Sequence, residues 1–166
     1  TVSLGAHPMN RRAEQTVRPA ERTAMPMPVE TAEPVETGGR FTFADWEESP
    51  VGPVEAVPRL AHARVTNAFT GGIEAPETAC DYTIAYTGEN TGSYSGMELV
   101  AGSVDGRKGT FVLEERGTFD ASGTVCRFEV VPGSATGDLA GLTGSGGFAY
   151  RHGESSVAYS FTYGLG

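Results

Sequence analysis

The chain has 166 residues and a formal net charge of −9 at pH 7, long enough for one domain with a real core. Twenty-three glycines and few apolar runs of helical period point to an all-β class. Residues 1–40 balance five Arg against five Glu, so the other seven Lys+Arg against sixteen Asp+Glu carry the whole excess; such an acidic body excludes nucleic acid and anionic membranes as partners.

Residues 1–39 form an N-terminal extension unlike the rest. Half of the ten prolines lie there, and its apolar residues lack strand alternation. Asn10, followed by Arg11-Arg12-Ala13-Glu14-Gln15, offers a cap and helix formers. Met25-Pro26-Met27-Pro28-Val29 favours extended geometry. Two readings stand: a disordered tail, or a lid whose Met9, Val17, Met25 and Met27 supply adaptable apolar contact.

From residue 40 to 166 the pattern is that of strands. Phe41 to Trp46 alternates apolar and polar, and a Pro- and Gly-rich loop follows from Ser49 to Pro58. Leu60 to Phe69 sets Ala61, Ala63, Val65 and Phe69 on one face. Thr70-Gly71-Gly72-Ile73 signals a hairpin. Thr78 to Tyr86 aligns Cys80, Tyr82, Ile84 and Tyr86. Ser93 to Ser103 aligns Tyr94, Gly96, Glu98 and Val100. Asp105-Gly106 is the tightest turn signal. Lys108 to Phe119 aligns Phe111, Leu113, Glu115, Gly117 and Phe119. Thr124 to Val131 is a sixth strand.

A stretch with six glycines between apolar anchors, Val130 to Phe148, comes next. Leu139 and Leu142 have the spacing of one helical turn, and the chain is expected to re-enter a strand at Phe148. Glycine permits positive φ and close backbone approach. No Gly-x-Gly-x-x-Gly occurs, and Gly144-Ser145-Gly146-Gly147 leads into a strand pattern, so a phosphate cradle is not indicated. Phe148 to Arg151 and Ser156 to Tyr163 complete eight strands. Short, regular spacing predicts an eight-stranded antiparallel up-and-down barrel able to enclose one small ligand.

Cys80 and Cys126 sit in strand patterns and read as buried small hydrophobes. No Cys/His cluster suits zinc, no run suits a membrane span, and no signal-peptide core is seen. These observations predict a soluble cytoplasmic protein with neither metal nor organic cofactor. No Gly-x-Ser-x-Gly elbow occurs.

Candidate site residues follow from alternation. Glu98 continues the face of Tyr94 and Gly96 toward the interior; the other reading is a surface carboxylate or the partner of a buried Arg. Glu115 shares a face with Phe111 and Leu113, and the Glu114-Glu115 doublet puts one carboxylate on each face. Tyr82 and Tyr86 supply hydroxyls or core bulk. Trp46 lines the mouth or anchors a lid. Arg127 is placed to ion-pair inside with Glu98 or Glu115. His62 and His152 read as surface or structural.

Several pieces carry a resemblance: Gly39 to Trp46, Tyr94-Ser95-Gly96-Met97-Glu98, Gly109 to Leu113, Gly117-Thr118-Phe119, and the glycine stretch through Phe148. On these, residues 40–166 resemble an uncharacterised bacterial domain-of-unknown-function family with an allene-oxide-cyclase-like, calycin-like barrel. That family often has Gln-His after the leucine of its fifth strand, where this chain has Glu114-Glu115. The architecture is shared with allene oxide cyclase and with small barrel cyclases of polyketide pathways, including the spirotetramate-forming cyclase of pyrroindomycin biosynthesis, which has an N-terminal lid. The resemblance implies a cofactor-independent cyclase, a [4+2] cyclisation of a linear polyene or polyketide-derived substrate to a spiro-tetramate or spiro-tetronate. On that reading Glu98, Glu115 and Tyr82 are catalytic. Trp46, Tyr86, Tyr94, Phe111, Leu113, Arg127 and Phe161 would bind substrate. Related barrels also occur as homo-oligomers. The alternative is a noncatalytic barrel that binds small apolar ligands. Cyclisation itself asks for a shaped apolar cavity holding the reacting ends together, with a few polar groups that polarise a carbonyl.

Overall fold

The computed structural model describes residues 33–53 and 55–166. They fold into nine strands: β1 Val35–Val51, β2 Arg59–Gly71, β3 Ile73–Glu74, β4 Ala79–Tyr86, β5 Gly92–Val104, β6 Arg107–Asp120, β7 Gly123–Val130, β8 Leu142–Arg151 and β9 Val157–Leu165. All pairings are antiparallel. Strands that follow one another in the chain lie side by side, β5 pairs β6, and β1 pairs β9, so eight strands close into a ring. The two-residue β3 adds a short pairing to β5 at one end. Among the described residues no helix is long and apolar enough to cross a membrane.

Period-two burial runs along the strands as alternation requires. In β6 it holds from Phe111 through Gly117, and in β4 from Cys80 through Ile84. The Asp105-Gly106 turn has positive φ at both residues, 46° and 88°, the backbone that a two-residue hairpin with matching twist needs.

One end of the ring is closed and packed. Ile73, Leu139 and Leu142 are buried there with Phe111, Phe128 and Phe161. Leu139 belongs to a single 3-10 turn, Gly137–Leu139, that lies against β6. Leu142 instead opens β8, so the strand starts six residues before the expected Phe148. Gly133, Gly137 and Gly141 take positive φ in the connection, and Gly144, Gly146 and Gly147 lie in the strand itself. Gly146 faces Phe161 across the β8–β9 ladder, and a Cβ there would stand 2.6 Å from the Phe128 ring. Bare backbone on β8 lets aromatic side chains of its two neighbours fill the interior.

The first strand also departs from expectation. It runs Val35–Val51, so Ser49 to Val51 is strand and not loop. Its register with β2 shifts between Ala44 and Glu47, leaving Asp45 and Trp46 together opposite one residue. Asp45 takes φ 58°, a conformation that Asp tolerates better than most residues. The extra residue flips the parity of the strand. Phe41 and Phe43 face inward before it, and Trp46 faces inward after it.

Candidate functional site

The other end of the ring is open. A cavity of about 320 Å³ lies inside it. Its mouth is at the end carrying the β1–β2, β4–β5, β6–β7 and β8–β9 connections. The walls are aromatic, with Phe43, Trp46, Tyr86, Tyr94, Phe119 and Tyr150 among them. Phe43 and Trp46 point inward yet stay half-exposed, 47% and 50%, because the space before them is unfilled. Concave exposed apolar surface of this kind marks ligand sites.

Of the polar side chains that line the cavity, Asn67 and Tyr82 are the two that are buried. Both bond to a carboxyl group behind the wall. Tyr82 Oη donates to Glu115 Oε1 at 2.9 Å. Asn67 Nδ2 donates to Glu98 Oε2 at 2.8 Å, and the Thr78 hydroxyl donates to the same oxygen. Glu98 and Glu115 are 1% and 2% exposed. They meet because the β5–β6 register pairs Gly96 with Glu115 and Glu98 with Leu113, which sets the carboxylates diagonally on one face. Gly96 packs closely on β4: a Cβ there would stand 2.0 Å from the Asp81 carbonyl oxygen and 2.8 Å from the Tyr82 ring, so a side chain at 96 would press on both.

Both free thiols close the shell. Cys80 Sγ lies 3.9 Å from Glu115 Oε2, and Cys126 Sγ lies 3.8 Å from Glu115 Oε1. Among the described residues no buried side-chain oxygen or nitrogen lacks a partner. Burial holds the Glu115 carboxyl well above the usual glutamate range, and its hydrogen bond to Glu98 and that group's charge push the same way. Both effects favour the protonated form of Glu115, as burial beside a second carboxyl group requires. Burial also raises Tyr82, Cys80 and, to about 12, Cys126. All three stay neutral. Cys80, Glu98 and Glu115 each bring one donor atom within 4.8 Å of the others, a spacing a cation could use. The two carboxyl groups already accept hydrogen bonds from Asn67, Thr78 and Tyr82, and Asn67 and Tyr82 stand between them and the cavity.

A family profile described as "Protein of unknown function (DUF3224)" matches residues 37–163. The chain belongs to the DUF3224 family. It is similar to a DUF3224 protein of unknown function from Shewanella oneidensis MR-1, whose crystal structure aligns at a TM-score of 0.64 with 27% identity. That alignment covers 81% of this chain and 99% of the other. No curated protein matches the chain.

Within this DUF3224 domain, Tyr82, Glu98 and Glu115 converge, while Glu114 faces outward. Trp46, Tyr86 and Tyr94 line the cavity. Tyr94 is braced by Thr124 at 2.7 Å, and Tyr86 donates to Glu48 at 2.7 Å beneath the Arg59 guanidinium. Phe111, Leu113 and Phe161 lie in the packed end and do not reach the cavity. Arg127 requires a correction. Its neighbours Cys126 and Phe128 take the inward parity, so Arg127 is exposed and makes no internal ion pair. His62 bonds Asp81 on the outer face, and His152 stands at the mouth. Met9, Val17, Met25 and Met27 lie outside the described residues. Asn67 and Thr78 are the members that the sequence reading did not single out. Alternation was the signal for both: Asn67 falls between Val65 and Phe69, and Thr78 is in step with Cys80 and Tyr82.

Proposed function

We propose that the cavity is the reaction chamber of a cofactor-independent cyclase acting on a small unsaturated carbonyl compound, within an up-and-down barrel of the allene-oxide-cyclase type. The observation that carries this reading is Tyr82, whose hydroxyl stands in the cavity wall while bonded to the buried Glu115. A substrate carbonyl seated against Tyr82 draws the hydroxyl proton toward itself. Glu115, which holds a proton, then donates to the tyrosine oxygen. The pair thus supplies a preorganised donor in a dry site, where developing negative charge on oxygen is stabilised most. In an intramolecular [4+2] closure, a diene and an alkene exchange three π bonds for two σ bonds and one π bond. Atoms balance with no other reactant. The aromatic walls hold the reacting ends together, which is the main requirement of such a step.

The alternative, a noncatalytic barrel for small apolar ligands, is favoured by one feature: the carboxyl groups themselves do not line the cavity. One experiment separates the two. A linear trienyl enone is incubated with the protein, with Tyr82→Phe, and without protein. Faster cyclisation that falls about a hundredfold in Tyr82→Phe supports the cyclase. Binding of the enone with no acceleration would leave the ligand-binding barrel.

A further inference from the structure

The orientation of Asn67 defines which ligand the cavity accepts. Asn67 is 4% exposed. Its Nδ2 is committed to Glu98, and its backbone N–H to the Thr78 hydroxyl at 3.2 Å. The amide is thereby held in one flip state, nitrogen toward the carboxyl group. Among the described residues its Oδ1 has no hydrogen-bond partner, yet no fully buried side-chain oxygen there is unpartnered. That oxygen therefore opens on the cavity, which Asn67 lines. Tyr82, the other buried polar group of the wall, is engaged with Glu115. Asn67 Oδ1 is therefore the buried acceptor held open to a ligand, set among aromatic walls with Glu98 and Glu115 behind them.

We infer that Asn67 is the specificity residue of this cavity and selects a planar apolar ligand that carries an N–H or O–H donor. The inference rests on reading the cavity as the ligand site. A ligand that fills the chamber without a donor leaves Asn67 Oδ1 desolvated and unpaired, and an unpaired buried acceptor is costly. Discrimination of this type, by a group built to hydrogen-bond, is stronger than discrimination by shape alone.

The test is calorimetric titration of the full chain with two isosteric probes. Indole has an N–H donor, and benzofuran has an ether oxygen in the same place. The intact protein should bind indole at least about tenfold more tightly than benzofuran. Asn67→Leu should bring the two affinities together while benzofuran binding is retained. Equal affinities in the intact protein overturn the inference and leave the cavity as a ligand site. Failure of the intact protein to bind either probe overturns both. The comparison in the intact protein needs no variant, so a poorly folded Asn67→Leu does not remove the test. Should that variant fold and keep the preference for indole, the assignment to Asn67 falls.

Discussion

Glu115 is the residue whose chemistry reaches furthest. A glutamate in an unfolded chain titrates near ~4.3, and burial beside Glu98 holds this one well above that range. Between those two values the folded state binds one proton more than the unfolded state. The contribution of Glu115 to stability should therefore be fully present below about pH 4.3 and fall as pH rises toward the raised value, by up to ~1.4 kcal/mol per pH unit. Urea denaturation of the protein and of Glu115→Gln, run from pH 5 to 9, checks this. The neutral amide mimics the protonated acid, so the variant should show a flatter profile and exceed the parent in stability at high pH. Parallel profiles would mean that Glu115 is ionised in the fold. Tyr82→Phe removes a donor from the same group and should cost about 1–2 kcal/mol. The same denaturation curves read that cost, and an unchanged midpoint would show that the contact is not maintained in solution.

At the scale of elements, the bulge in β1 decides what the mouth is made of. Were the same residues paired without a bulge, alternation from Phe41 and Phe43 would carry Asp45 inward and Trp46 outward. With the bulge, Trp46 packs 6.4 Å from the Tyr82 ring, and Glu48 accepts hydrogen bonds from Trp46 and Tyr86. Deleting Asp45 removes the extra residue and leaves Trp46 alone opposite Val65, so strict alternation should keep Trp46 inward. Trp46 is the sole tryptophan, so acrylamide quenching of its fluorescence should be unchanged in the deletion variant; a rise in quenching would refute the parity argument. Such a bulge is not legible from period-two reading, because it is the place where the period breaks. What alternation does govern was legible: the inward Tyr82, Glu98 and Glu115, and the ring of eight antiparallel strands. The glycine stretch was legible in part: Gly133, Gly137 and Gly141 take the positive φ expected of glycine. The early start of β8 was not, because Gly146 lies in that strand with the Ser160 carbonyl oxygen and the Phe128 ring where a Cβ would stand. Arg127 misled because a charged partner for buried carboxylates was sought, while neutral donors serve instead.

Taken as a whole, the ring divides its interior into two apolar clusters. The closed half is filled by Phe111, Phe161 and Leu142, the other holds Tyr82 and Ile84 against Tyr86 and Tyr94. Glu98 and Glu115 stand where strands β5 and β6 pass from one half to the other: Val100 and Leu113 on the packed side, Tyr94 and Phe119 on the cavity side. Stability should then reside mainly in the closed half and binding in the open one, since filled cores are costly to empty and unfilled walls are not. Phe161 is 1% exposed and Phe43 is 47% exposed. Phe161→Ala should cost about 3–5 kcal/mol and leave the affinity for indole unchanged in the protein that still folds. Phe43→Ala should cost under about 1 kcal/mol and weaken indole binding. Urea denaturation and calorimetry on the two variants measure both quantities. If Phe161→Ala loses indole affinity while folded, the two halves are coupled and the closed end takes part in shaping the chamber; if Phe43→Ala keeps it, Phe43 is not part of the binding wall.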